Sequence, residues 1–167
     1  MQPFVTNIIT RVIEREGGYT YDQGGHTKYG VTVPFLSRIW NRPITEKDIR
    51  SLTEATAREV YAAYFRQLNI GTIDNEALVD LIFDYCVNAG DGRALRELQK
   101  AAGVAQDGQI GPVTLRAIES RGPEEVYYTL LKQRLIFWAE LALKNPERHL
   151  KSLPGWVNRG ASFIKNI

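Results

Sequence analysis

The sequence predicts a mainly α-helical protein with one small β-hairpin or loop insert after its first helix. Apolar residues recur at helical spacing at Val5, Ile8, Ile9, Val12 and Ile13, and helical patterns return from Pro34 through most of the remaining chain. Between them, Tyr19 to Val33 loses that spacing and is broken by Gly24-Gly25 and Gly30. Threonine, glycine and proline stand where helices should begin and end.

Taken in order, Pro3 suits the first turn of a helix, and Gly17-Gly18 stops that helix after Glu16. The polar stretch that follows, with its short Tyr29-Gly30-Val31-Thr32-Val33 segment, reads as a loop or small hairpin rather than helix. Thr45-Glu46-Lys47-Asp48 has the form of a capping box. Thr53 caps the next helix, which carries Ala57, Val60, Tyr61 and Tyr64. Leu78 to Asn88 is a buried helix ended by Ala89-Gly90. Leu95, Leu98 and Ala102 mark another, closed by Gly103, and Pro112 opens one through Leu115 and Ile118. A long amphipathic helix is expected from Glu124 to about Leu143, and Pro154 to Arg159 forms a last short element.

Composition narrows the function classes. A chain of 167 residues can bury about 70 % of its unfolded surface, so it needs no disulfide or metal staple. Cys86 is the only cysteine, which excludes an internal disulfide, and its apolar setting reads as a core thiol. His26 and His149 stand far apart with no second cysteine, so neither a metal site nor a cofactor is expected. No apolar run approaches the roughly 20 residues that span a bilayer, so no stable membrane insertion is expected. Met1 to Asn7 lacks the pattern of a signal peptide, so synthesis in the cytoplasm with release by another route is expected. The net charge of +2 is too weak to argue for nucleic acid. Residues 1–88 hold 9 Lys and Arg against 11 Asp and Glu, whereas 89–167 hold 12 against 8, a mildly basic half suited to an anionic polymer.

Glu16 is the residue most suited to chemistry. On a helix it shares a face with Val12 and Ile13, so it emerges from the buried stripe at the last turn. Partial desolvation and the negative end of the helix dipole both favour its protonated form, which a general acid must hold near neutral pH. Glycoside hydrolysis usually needs a second group on the opposite face of the sugar. The loop after Glu16 supplies Asp22, Thr27 and Lys28, with Tyr19, Tyr21 and Tyr29 as flat surfaces for sugar rings.

Glu16-Gly17-Gly18-Tyr19, then Asp22, Gly24-Gly25 and Thr27-Lys28-Tyr29-Gly30-Val31-Thr32, resembles the signature of glycoside hydrolase family 108. Those enzymes are the N-acetylmuramidases of phage lysis and toxin-secretion systems. The resemblance continues through Asp84-Tyr85-Cys86-Val87-Asn88-Ala89-Gly90 and Leu98 to Val104. Asp107 to Leu115 is similar to the family's predicted peptidoglycan-binding region, and Gly155-Trp156-Val157-Asn158-Arg159 to its closing motif. The resemblance implies a lysozyme-like helical fold that cuts the β-1,4 bond between N-acetylmuramic acid and N-acetylglucosamine. It places the catalytic glutamate on Glu16 and makes Asp84 and Asn88 cleft-lining or loop-anchoring residues.

In this reading residues 1–89 form the catalytic region and 90–167 a helical peptidoglycan-binding-like region packed on it as one unit. Glu16 and Asp22 are the catalytic candidates, with Tyr19, Thr27, Tyr29, Asp84 and Asn88 as substrate contacts. The partner is the glycan strand of peptidoglycan, reached by way of a holin-like export partner that the resemblance suggests. The family often carries a longer acidic stretch before the second glycine pair, whereas this chain has Asp22-Gln23 alone. Two further readings stand beside hydrolysis: a lytic transglycosylase acting with Glu16 alone, and a non-catalytic wall-binding module.

Overall fold

The computed structural model describes residues 3–22 and 25–164. Packing divides the chain into two units, Met1–Gly71 and Thr72–Ile167.

The first unit opens with α1 (Pro3–Glu16), which buries Val5, Ile8, Ile9, Val12 and Ile13. Strands β1 (Tyr19–Asp22), β2 (Gly25–Lys28) and β3 (Val31–Thr32) follow as an antiparallel sheet in that order. Then come α2 (Val33–Trp40), α3 (Glu46–Ser51) and α4 (Glu54–Leu68). Helix α1 packs on α4, and α2 contacts both α4 and β3. The expected loop or small hairpin after α1 is this sheet. Tyr29 and Gly30 form the turn between β2 and β3, and Thr32, the last residue of β3, is also the N-cap of α2, its hydroxyl accepting from the Phe35 amide at 3.3 Å. At Thr45 the capping box is complete, with Asp48 accepting from the Thr45 amide at 2.8 Å. Thr53 caps α4 by accepting from the Thr56 amide at 3.1 Å.

The second unit contains α5 (Glu76–Ala89), α6 (Asp91–Ala102), α7 (Pro112–Arg121), α8 (Pro123–Lys144), α9 (Pro146–His149) and α10 (Leu153–Ala161). Helix α8 is its axis, contacting α5, α6, α7, α9 and α10. Its pattern is less cleanly amphipathic than expected. The buried stripe Val126, Tyr127, Leu130, Leu131, Trp138 and Ala142 includes the charged Arg134, while Tyr128, Ile136 and Leu143 face outward. Gly160 lets α10 approach α8 closely, since a Cβ there would stand 2.5 Å from Leu135 Cδ2. The loop from Gly103 to Gly111 is stapled by buried Gln99. That side chain donates to Asp107 at 2.6 Å and to the Gln109 carbonyl at 3.1 Å, and accepts from the Gly108 amide at 2.7 Å. Cys86 is buried, as a core thiol should be. Among the described residues no helix is long and apolar enough to cross a membrane.

Candidate active site

Helix α1 ends where glycine lets it. Gly17 takes φ +70° and its amide closes the last turn on the Ile13 carbonyl at 3.2 Å. Glu16, one residue earlier, is half-buried. The Gly17 carbonyl then accepts from the Tyr29 amide at 3.1 Å, which ties the β2–β3 turn to the helix end.

That turn is a two-residue hairpin connection with both central residues left-handed, Tyr29 at φ 54° and Gly30 at φ 73°. Glycine adopts this freely, whereas a tyrosine there costs about 1 kcal/mol. The Tyr29 carbonyl accepts from the hydroxyl of buried Tyr61 at 2.9 Å. Gly30 lies directly against the glutamate: a Cβ built on it would stand 2.6 Å from Glu16 Cγ, 2.8 Å from Glu16 Cβ and 2.6 Å from Tyr61 Oη. The sequence therefore brings Glu16, the turn and α4 into one constellation, although Tyr61 read only as one residue of a helix.

Register sorts the other hairpin candidates. Tyr19 pairs with Lys28 and Tyr21 with His26, while Thr20 pairs with Thr27, and Thr27 with Thr32. Because side chains alternate across a sheet, Tyr19 and Thr27 occupy opposite faces and cannot both line one surface. The Tyr19 face is occupied from within the unit. Its hydroxyl meets His26 Nδ1 at 2.7 Å, and the Arg50 guanidinium lies 4.5 Å from its ring. Lys28 Nζ donates to the Arg50 carbonyl at 2.9 Å, His26 Nε2 lies 3.4 Å from a Glu46 oxygen, and Arg50 pairs with Glu46. That pairing holds the Glu46 carboxyl below its ordinary range. Tyr19, partly exposed, is thus held in a polar network within the unit. Exposed Tyr21, tilted 4.6 Å from His26, is the hairpin's outward-facing ring. Thr27 stands on the opposite face in a row with Thr20 and Thr32. Tyr29 is half-buried, with Lys28 Nζ 5.7 Å from its ring. Asp22 closes β1 opposite Gly25, and its side chain lies outside the described residues.

The two remaining candidates are on α5, in the second unit. Asp84 is 0 % exposed. One oxygen accepts from Arg134 at 2.6 Å and the other from Arg159 at 2.9 Å, so it joins α5 to α8 and α10. Burial alone would raise its carboxyl, but the two guanidiniums outweigh that and hold it below the ordinary aspartate range. Of the two expectations for Asp84, cleft-lining and loop-anchoring, an enclosed and doubly paired carboxylate fits the second. Arg134 is caged by Trp138 at 4.5 Å, Tyr85 at 5.0 Å and Phe163 at 5.6 Å. Burial pushes the Tyr85 phenol up to about 12. Asn88, one turn beyond Asp84, is exposed. Among the described residues no group of three or more His, Cys, Asp or Glu is placed to hold a metal ion.

Residues 9–90 match the family described as glycosyl hydrolase 108, and residues 93–161 match the one described as a predicted peptidoglycan domain. The chain is similar to the solved structure of SagA from Brucella abortus, at 27 % identity and a TM-score of 0.83, over 95 % of this chain and 90 % of that one. No curated protein matches it. The family boundary near residue 90 and the packing boundary after Gly71 do not coincide. Helix α5 lies within the first family match, yet it packs with α6 and α8.

Proposed function

From the premise that this chain belongs to glycosyl hydrolase family 108, and is a peptidoglycan hydrolase with a mainly α, lysozyme-like fold, we propose that it is an N-acetylmuramidase. It hydrolyses the β-1,4 bond from N-acetylmuramic acid to N-acetylglucosamine, with Glu16 donating the proton to the leaving oxygen. The observation that carries this reading is the seat of Glu16: a half-buried carboxylate at the end of α1, lodged against the backbone of the Tyr29-Gly30 turn. A carboxyl so restrained is aimed, as a general acid must be.

The opposite face of the sugar needs a water or a nucleophile. Thr27, half-exposed in the threonine row of the sheet, is suited to hold that water, and Asp22 at the end of β1 is the carboxylate nominated to activate it. Tyr29 and exposed Tyr21 offer rings to the glycan, and Asn88 offers an exposed amide. Residues 1–89 perform the cleavage and 90–167 retain the wall polymer. Release to the wall proceeds through a separate holin-like partner.

The test is digestion of purified peptidoglycan sacculi by the protein and by Glu16→Gln, with the fragments identified by mass spectrometry. Reducing muramic ends are expected from the parent protein, and their rate should fall by about 10²–10⁴-fold in the variant. Anhydro-muramic ends would instead identify a lytic transglycosylase. Absence of fragments from the parent protein would leave a wall-binding module. Turnover of Asp22→Asn decides the second carboxylate, since near-normal rates would remove it from the catalytic pair.

A further inference from the structure

Resting on the assignment of Glu16 as the acid, we infer that Tyr61 is a positioning residue for it, acting through the Tyr29-Gly30 turn. A proton donor must hold its carboxyl within a fraction of an ångström of the productive position. Glutamate has several rotatable bonds, and Glu16 stands on the last turn of a helix, where restraint from its own backbone is weakest. The turn supplies a restraint of its own. Gly30 lies against Cβ and Cγ of Glu16, so the turn limits where that side chain can go while it stays in place.

Besides the β2–β3 pairing at Lys28 and Val31, two bonds hold the turn. The Tyr29 amide is fixed to the Gly17 carbonyl at 3.1 Å, and the Tyr29 carbonyl receives the Tyr61 hydroxyl at 2.9 Å. Tyr29 is a non-glycine residue at positive φ, a conformation that persists only where the surroundings enforce it. Tyr61 can enforce it because it is itself immobile: fully buried on α4, with its ring 5.8 Å from Phe35. Its Oη and the Glu16 Cγ flank the same point beside Gly30, each 2.6 Å from where a Cβ would be. Loss of the hydroxyl frees the carbonyl and loosens the turn. The glycine at position 30 is required for a second reason beyond its φ, because any side chain would displace the acid or the tyrosine.

Tyr61→Phe, Gly30→Ala and Glu16→Gln are compared with the parent protein on soluble, uncrosslinked peptidoglycan strands, with kcat and KM measured separately and folding checked by thermal melting. Tyr61→Phe should lower kcat about tenfold and leave KM within about twofold, since misplacing an acid costs rate rather than binding. Gly30→Ala should lower kcat by about 100-fold. A folded Tyr61→Phe with parental kcat, or a loss confined to KM, overturns the inference. Should Tyr61→Phe not fold, a folded Gly30→Ala with parental kcat overturns it in its place. Amide hydrogen exchange on the parent protein supplies a check that needs no variant: the Tyr29 amide must be strongly protected, and exchange at the rate of an open loop sinks the idea. If Glu16→Gln itself cleaves normally, the acid assignment fails. If Glu16→Gln is inactive while Tyr61→Phe is unimpaired, only the positioning role falls.

Discussion

Glu16 and Asp84 are carboxylates that both emerge from the apolar stripe of a helix, and they meet opposite fates. Glu16 remains half-exposed, lodged against a glycine turn. Asp84 is sealed in, with Arg134 donating to one oxygen and Arg159 to both. Position on the helix is therefore a poor guide to whether a carboxylate does chemistry; what decides is what arrives to cover it. Two guanidiniums lock Asp84 in its ionised form, the state least useful to a proton donor. Glu16 instead meets the backbone of the Tyr29-Gly30 turn at its Cβ and Cγ and keeps partial exposure to solvent.

The sharpest way to break this contrast is Asp84→Ala. It would strand Arg134 in an aromatic cage without its counter-ion, and removing one partner of a buried pair costs about 3–5 kcal/mol. The melting midpoint should fall by roughly 6–20 °C on the scale usual for chains of this size. Calorimetry checks this, and an unchanged midpoint accompanied by lost cleavage would return Asp84 to the glycan-contacting set.

A gentler perturbation reads the same pair through pH. The carboxyl of Asp84 is lower in the folded protein than in the unfolded chain, so its contribution is present above the unfolded value of about 4 and disappears as pH falls through the folded value. Arg159→Gln removes one of the two groups that hold it down. The variant should therefore begin to lose stability at a higher pH than the parent protein during acid titration followed by circular dichroism. Coincident acid transitions would mean that Arg134 alone sets the ionisation of Asp84.

Much of the local structure was legible before any coordinates. The spacing from Val5 to Ile13 placed Glu16 on the buried edge of α1, and Thr45 and Thr53 announced the starts of α3 and α4, because helical period and capping are written within a few residues. The hairpin was legible as an insert but not in register, and register is what separates Tyr19 from Thr27. The partners of the two carboxylates were not legible at all. Arg134 and Arg159 reach Asp84 from 50 and 75 residues away, and Tyr61 reaches the Tyr29 carbonyl across 32. Such long-range arrivals leave no periodic trace, so the sequence left Asp84 between cleft-lining and loop-anchoring and Tyr61 as one residue of a helix.

The smallest expected effect separates the stability of α4 from the work of the one hydroxyl it carries. Thr53 caps α4, and its Oγ1 accepts from the Thr56 amide at 3.1 Å, two turns before Tyr61 on the same helix. Thr53→Ala should cost about 1 kcal/mol by leaving a helix-end amide unpaired. The cap lies in the exposed first turn, so the loss should appear as fraying there while Tyr61 stays packed further along. A lowered melting midpoint with unchanged kcat is the expected pair of readings. If kcat falls in step with stability, then Glu16 answers to the integrity of α4 as a whole. If kcat holds for Thr53→Ala and drops for Tyr61→Phe, the coupling runs through a single bond to the Tyr29 carbonyl.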